Sequence, residues 1–445
     1  MKFTIDRQTT RDLQLFDSKK DHQSIFDFFC RVRSIGGRLK LHTFLAKALT
    51  DLEELTARQE AIHFISKTDL SNELQIDKST LDFIEHYLKQ EDYPTHPQSW
   101  IRTIEKAFWN KLTPDNKYYI VERGVDYVVD VLNYLRAFHT KMLGLGCPTL
   151  IQENANKLLD LFSHPEFEKI KIIKDMQKIK ALDIAYFDYL FRYKYRDSIR
   201  WVLDTIYEYD VFITVASIAH NHGFAYPEML SGEKPVFELE GFVHPLIQNP
   251  VANNIHLSST QNMLFLTGTN MSGKSSALRS MALCAYLAHV GFPIPAKRAR
   301  ISLLSGIVTT INLSDDISLG YSHFYSEVKR IKQVVECLKT HKNMLVVFDE
   351  LFRGTNVKDA FDGTLAILTA FSRVKGSFFM VSTHIQEVAD ELSRMDSIAF
   401  RHLEISINNG EPQYTHQLKN GVSAQRLGMY IINKENIIDE INSLE

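Results

Sequence analysis

Gly268-Thr269-Asn270-Met271-Ser272-Gly273-Lys274-Ser275 follows the apolar run MLFLT (263–267) and opens the helical stretch SALRSMALCAYLAHV. These residues fit the GxxxxGK[ST] spacing of a phosphate-binding loop, in the strand–loop–helix setting that gives the spacing meaning. Glycines let backbone N–H groups turn inward around phosphate oxygens, and the helix N-terminus adds a favourable partial charge. Lys274 is then set to reach the β and γ phosphates of a nucleotide. Ser275, followed by Ser276, is set to place its hydroxyl on Mg²⁺.

A second apolar run, MLVVF (344–348), ends in Asp349-Glu350. An acid at the C-terminal end of a parallel strand beside a phosphate loop sits where Mg²⁺ needs an oxygen partner. Asp349 is expected to hold the ion and Glu350 to orient or deprotonate the attacking water. Alone, an acid pair there is an ordinary strand end; the phosphate loop gives it chemistry. The third run, FFMVST (378–383), delivers Ser382-Thr383-His384, and His384 is expected near the γ phosphate or its water. Asp315-Asp316-Ile317-Ser318-Leu319-Gly320-Tyr321-Ser322 precedes a helical pattern. Spacing alone makes Ser322 a helix N-cap; a hydroxyl at such a place can also meet another subunit's γ phosphate.

The elements that must carry these residues divide the chain by texture. From about residue 224, strand-length buried runs alternate with helices, which predicts a mainly parallel sheet with helices on its faces. The first ~220 residues read as mostly helical. Val121, Val125, Val128, Leu132 and Leu135 recur at spacings of four and three, predicting a helix over 118–142 with one apolar seam. Ile199, Val202, Leu203, Ile206, Ile213 and Ala216 predict a second over 197–222, ended by Gly223. Breaks fall at 144–148 and 163–165. Two long helices separated by a reversal fit an arm or lever, with an ordinary helical bundle as the alternative.

Length and composition set the bounds. The chain has 445 residues, 44% hydrophobic and 24% charged, with 12 Pro and 19 Gly, which excludes a collagen-like or disordered protein. A formal net charge of −3 excludes a globally basic nucleic-acid binder, so phosphate contacts must come from local patches. Cys30, Cys147, Cys284 and Cys337 lie far apart without a CxxC pair, arguing for a reduced compartment and against structural zinc. No apolar run reaches the ~20 residues that span a bilayer. The opening MKFTIDRQTTRDLQLF carries an acid and no small-residue cleavage site. A cytoplasmic protein without a membrane partner is expected.

Taken in order, the four motifs resemble the MutS family of DNA mismatch-repair ATPases, relatives of the ABC ATPases. TGTNMSGKSS with GFPIPA (291–296) is similar to the family's phosphate loop and following turn. DDISLGYSHFYSEV resembles its signature segment, DELFRGTN (349–356) its Mg²⁺ strand, and STH (382–384) its switch histidine. GFVHPLIQNPVANNIHL (241–257) resembles the entry strand, and EYDVFITVASIAHNHGFAYPEM (208–229) the end of the lever helices. TTRDLQLF (9–16) and 24–46 resemble the start of the core domain, so the likeness runs over nearly the whole chain.

The resemblance implies an α/β plus all-α protein. A helical core and lever domain over 1–225 would precede an ABC-type P-loop ATPase domain over 226–445, with a C-terminal helical dimerisation segment. It implies a dimeric, Mg²⁺-dependent ATPase that binds ATP at 268–276 and completes each site with Ser322 of the second subunit. Glu350, His384 and Lys274 would be catalytic, and Ser275 with Asp349 would hold the metal. The partners implied are DNA, engaged by shape, a second copy of the chain, and a repair protein. The alternative is a nucleotide-switched dimeric scaffold for a protein partner.

The chain departs from the family pattern as well. By the resemblance its start is expected to match the start of the family's core domain, so mismatch-reading and connector domains are not expected in it. Phe83-Ile84-Glu85 has the composition of the reader's wedge but sits in a helical pattern, where core packing accounts for it. Val251 stands where the family often offers an aromatic ring to adenine, and Phe352 where a glycine is usual. Lysines 169, 171, 174, 178 and 180, then Arg192, Lys194, Arg196 and Arg200 interleaved with Tyr193 and Tyr195, could neutralise DNA phosphates. Nearby Asp160, Glu166, Glu168 and Asp175 make a solvated charged face the alternative.

Overall fold

The computed structural model describes residues 2–16, 23–68, 76–90, 116–173, 181–232, 234–269, 271–311, 323–352, 354–408 and 411–423, with isolated positions at 179, 438 and 441. The chain forms two compact units, one of residues 1–28, 47–56 and 221–445, the other of 29–46 and 57–220.

Among the described residues the regular structure of the second unit is all helical. Its two long helices, Asn116–Gly144 and Arg196–His222, contain the predicted spans. Val125, Val128, Leu132 and Leu135 are buried along the first, with Val121 half-buried at its start. All six predicted stripe residues of the second are buried, and Gly223 follows at φ +66°. The helices Thr149–Ser163, Pro165–Ile173 and Ala181–Tyr189 lie between them in sequence. Polar contacts fix the packing where apolar surface alone would let it slide. His139 Nε2 and the Tyr209 hydroxyl share a buried 2.9 Å hydrogen bond. The Asp210 carboxylate accepts from the Arg33 and Ser34 amides and the Ser34 hydroxyl, holding the start of the helix Ile35–Ala46. Gly37 permits this approach, because a Cβ there would stand 2.4 Å from Asp210 Oδ2.

Phe83, half-buried, packs edge-on against Tyr127, Ile84 is buried, and half-buried Glu85 accepts from the Tyr207 hydroxyl, so this triplet is engaged in helix packing. Three residues of the basic cluster, Lys169, Arg192 and Lys194, are paired with acids. Arg192 is buried against Asp188 in a two-toothed ion pair, Lys194 bonds Glu166, and Lys169 lies 3.6 Å from Asp183. Arg196, Arg200 and Tyr193 are exposed. Lys174, Lys178 and Lys180 lie outside the described residues.

The first unit is α/β. Its strands are β1 (Glu228–Leu230), β2 (Val236–Phe242), β3 (Asn253–Ser258), β4 (Met263–Thr267), β5 (Arg298–Ser302), β6 (Gly306–Thr310), β7 (Met344–Asp349), β8 (Phe378–Ser382), β9 (Ile398–Asn408) and β10 (Glu411–Asn420). One sheet runs β1-β5-β2-β3 and the other β10-β9-β4-β8-β7-β6. In the larger sheet only the β9–β10 pair is antiparallel. The three predicted runs are β4, β7 and β8, and every residue of all three is buried. That pattern follows from covering both faces of a parallel sheet. The helix Lys274–Val290 packs against β7 and β8 of one sheet and β2 of the other. A helix enclosed this way must be apolar all round, as LCAYLAHV is.

Residues 1–28 group with this unit. The cause is the edge of the larger sheet. Unpaired β6 would offer free backbone donors and acceptors. Thr4 takes up Ser305 O and the Ile307 amide in bonds of 2.9 Å. Thr9 Oγ1 accepts from the Thr309 amide, and Asp12 Oδ2 accepts from the Thr309 hydroxyl and the Ile311 amide. Gly306 allows the approach: a Cβ there would meet Thr4 O at 2.4 Å.

Among the described residues no helix is long and apolar enough to cross a membrane. The four cysteines are free thiols. The signature segment 312–322, and nearly all of the C-terminal segment from 424, lie outside the described residues.

Candidate active site

The loop after β4 turns on three positive φ angles: Gly268 (+151°), Met271 (+67°) and Gly273 (+106°). Two are glycines, which reach this region freely; Met271 is the exception and stands 81% exposed. Ser272 Oγ donates to Thr269 O at 2.8 Å and braces the turn. The helix Lys274–Val290 then begins with no side chain capping it, so its first-turn amides remain open to an acceptor. Asn270 lies outside the described residues.

Lys274 is buried and its Nζ donates to Gly268 O at 2.9 Å and Thr269 O at 3.1 Å. It also lies 3.8 Å from Glu350 Oε1. Ser275 Oγ donates to Asp349 Oδ2 at 2.5 Å. Asp349 ends β7, which runs two strands from β4 with β8 between them. Parallel strands bring their C-terminal ends to one side, and there the loop and the acids meet. Glu350 follows with φ +58°, a left-handed turn that ends the strand and directs the carboxylate toward Lys274 and His384. His384 is 59% exposed, its Nδ1 3.7 Å from Glu350 Oε2.

The structure therefore brings together Gly268, Thr269, Met271, Ser272, Gly273, Lys274, Ser275, Asp349, Glu350 and His384 of the predicted set. Ser276 is next in the helix and lines the adjoining cavities. Ser322, predicted to act from a second subunit, lies outside the described residues.

Beside the loop is a cavity of about 340 Å³, lined among others by Val251, Met271, Gly273, Leu403 and His416. Its size falls in the range of about 300–1,000 Å³ for small-molecule sites. A second cavity of about 330 Å³ shares His244, Ile247 and Ser276 with it and is lined also by Arg279. Burial lowers the pKa of Arg279, offset by the charges of Asp12 and Asp349, and its Nε has no hydrogen-bond partner among the described residues. Burial first, then the positive charge of Arg279, hold His244 down at about 4.

His416 escaped the sequence reading. Its Nδ1 shares a 2.8 Å hydrogen bond with Ser272 O, so the β9–β10 ladder reaches the phosphate loop. Asn253 secures it, donating to His416 O and accepting from the Leu418 amide across an irregularity in the β9–β10 register. The apolar–polar alternation of 398–408 signals a strand. Nothing local in the sequence signals that His416 meets Ser272.

These donors suit a nucleotide with Mg²⁺. Lys274 bonds its own loop's carbonyls, Thr269 Oγ1 is buried without a partner among the described residues, and the helix start is uncapped. Ser275 Oγ and Asp349 Oδ2 form a pair of hard oxygen donors. Among the described residues no cluster of three or more His, Cys, Asp or Glu could hold a metal. Mg²⁺ keeps several waters and takes one or two carboxylates plus substrate phosphates, so the Ser275 hydroxyl and the Asp349 carboxylate are donors of the type it uses.

Comparison with known proteins agrees with this geometry. Residues 264–443 match the family profile described as MutS domain V. The DNA mismatch repair protein MutS of Anaplasma phagocytophilum is 31% identical over 231 residues, covering 51% of this chain and 28% of that protein. The Bacillus subtilis protein of the same name is 30% identical over 230 residues, covering 50% and 26%. That of Thermosipho melanesiensis is 28% identical over 272 residues, covering 60% and 32%. The match spans less than a third of each of these relatives and half to six-tenths of this chain, less than the near-complete likeness read from motifs. Residues 264–443 are similar to MutS domain V, and over about half its length the chain is homologous to proteins of the MutS family.

Proposed function

We propose that this chain binds ATP with Mg²⁺ at 268–276 and hydrolyses it, using the nucleotide state to switch its hold on a macromolecule. One observation carries this: Ser275 and Asp349, with Lys274 and Glu350, converge from two separate strand ends. The loop amides and the open helix start cradle phosphate oxygens. Lys274 exchanges its loop carbonyls for the terminal phosphates and offsets charge growing there. Glu350 orients the attacking water and takes its proton, with His384 on its far side. Ser275 and Asp349 would hold Mg²⁺, which when bound neutralises phosphate charge. The cavity by Val251 and His416 takes the nucleoside. Ser322 of a second copy would complete the site in a homodimer.

Two macromolecules compete as the partner, in the cytoplasm in either case. DNA, held by shape, is suggested by relatives that are DNA mismatch repair proteins. A protein partner, with the chain as a nucleotide-switched scaffold, is favoured by the pairing of Lys169, Arg192 and Lys194 with acids. Charges spent on carboxylates release few counterions from DNA. Steady-state ATP hydrolysis alone and with perfect duplex, mismatched duplex and four-way-junction DNA at low salt separates the two. A DNA-dependent rate establishes DNA, and indifference to all three leaves the scaffold. Absence of ATP hydrolysis under every condition overturns the proposal.

A further inference from the structure

Asp349 is fixed from two sides. Ser275 Oγ donates to Oδ2 and Ser382 Oγ donates to Oδ1. The second bond is built into the sheet: β7 and β8 run parallel with Asp349 directly opposite Ser382, so the two side chains leave the same face. The Glu350 amide also donates to Ser382 O at 3.0 Å, tying the two strand ends where β7 stops. Ser382 is fully buried, Asp349 is 6% exposed, and β8 lies between β7 and the loop-bearing β4, with Ser382 opposite Leu266.

A carboxylate free to rotate about its last bond presents either oxygen to a cation and loses rotational freedom on binding. One whose Oδ1 accepts from a fixed hydroxyl is held in a single rotamer, with Oδ2 toward Ser275. Ser382 has one proton to donate, and spends it on Asp349. We infer that Ser382 is a positioning residue that presets the Asp349 carboxylate for the cation at Ser275. In this role Ser382 acts through Asp349. The inference rests on Asp349 being a metal ligand, as proposed above, and assigns the neighbouring motif residue a task separate from that of His384.

Partners of this kind around a metal ligand typically change metal affinity about 10–100-fold when removed. The test is equilibrium binding of a fluorescent ATP analogue to the full chain, in EDTA and across a Mg²⁺ titration. In Ser382→Ala the Mg²⁺ midpoint is expected to rise about tenfold, while affinity in EDTA stays within about twofold of wild type. Ser382→Thr, which restores the hydroxyl on a β-branched frame suited to a strand, is expected to bring the midpoint back. An unchanged midpoint in Ser382→Ala overturns the inference, as does an equal loss of affinity in EDTA, which would mark a merely structural role. Asp349→Asn separates the two levels. If it leaves the Mg²⁺ titration unchanged, the metal site itself is wrong and the inference falls with it. If Asp349→Asn moves the midpoint and Ser382→Ala does not, only the inference falls.

Discussion

Ser275 Oγ meets Asp349 Oδ2 at 2.5 Å, joining positions 74 residues apart. The contact is possible because β4 and β7 run parallel and end on the same side of one sheet, with β8 between them. It makes the site a property of the sheet, and each strand end contributes a separable part.

Lys274 shows that separability. Its ammonium is buried and bonded to two carbonyls of its own loop, beside Glu350. Lys274→Ala removes the fixed positive charge from the phosphate cradle and leaves those carbonyls without their donor. Nucleotide affinity should fall at least about tenfold and turnover by about a hundredfold or more. Equilibrium binding of a fluorescent ATP analogue checks this; affinity within twofold of wild type contradicts it.

Phe352 sits just past the acid pair at φ +62°, where a side chain is strained by about 1–2 kcal/mol. A glycine would remove that strain. The ring, however, is buried against Phe324 at 5.3 Å and presses on Gly363. Deleting a buried phenylalanine costs about 3–5 kcal/mol, so packing wins. Phe352→Gly should destabilise the α/β unit by about 2–3 kcal/mol, read by urea denaturation. A stabilised variant contradicts that packing.

Three buried histidines predict an acid limb in stability. Burial holds His139 and His289 down at about 4, and burial with the Arg279 charge does the same for His244. His289 shows why: its Nε2 accepts from the Leu304 amide, leaving Nδ1–H to face Ala285 O, so a second ring proton would oppose an amide proton. Above the ordinary histidine value of about 6.5 neither state takes the extra proton and nothing is lost. Below it the unfolded chain binds protons that the folded chain refuses, so stability falls as pH falls. Each histidine should cost roughly 1 kcal/mol between pH 7.5 and 5.5. Urea midpoints at the two pH values measure the effect, and His289→Gln should remove about half of it in the α/β unit, where His244 keeps the rest. Midpoints equal at both pH values contradict it.

How much of this was legible in sequence depended on distance along the chain. The loop 268–275 and the runs 263–267, 344–348 and 378–383 are local signals, and they became the loop, β4, β7 and β8. The helix predicted over 197–222 differs by one residue at its start. Long-range contacts were invisible. Thr9 and Asp12 reach β6 across about 300 residues, and His416 reaches Ser272 across 144. No periodicity encodes such meetings, which depend on which strand occupies a sheet edge and where a ladder slips. The charge cluster shows the same limit. Lys194 and Glu166 are far apart in sequence yet paired, so a basic stretch overstated the free charge.

The most direct test of the account is the Glu350→Gln variant, with nucleotide binding and ATP hydrolysis measured on the same preparation. Glutamine keeps the shape of the side chain beside Lys274 but cannot take a proton from water. Binding within about threefold of wild type, with turnover lower by about 10²–10⁴, is the predicted result. Hydrolysis at the wild-type rate would contradict the assignment of Glu350 and with it the proposed mechanism.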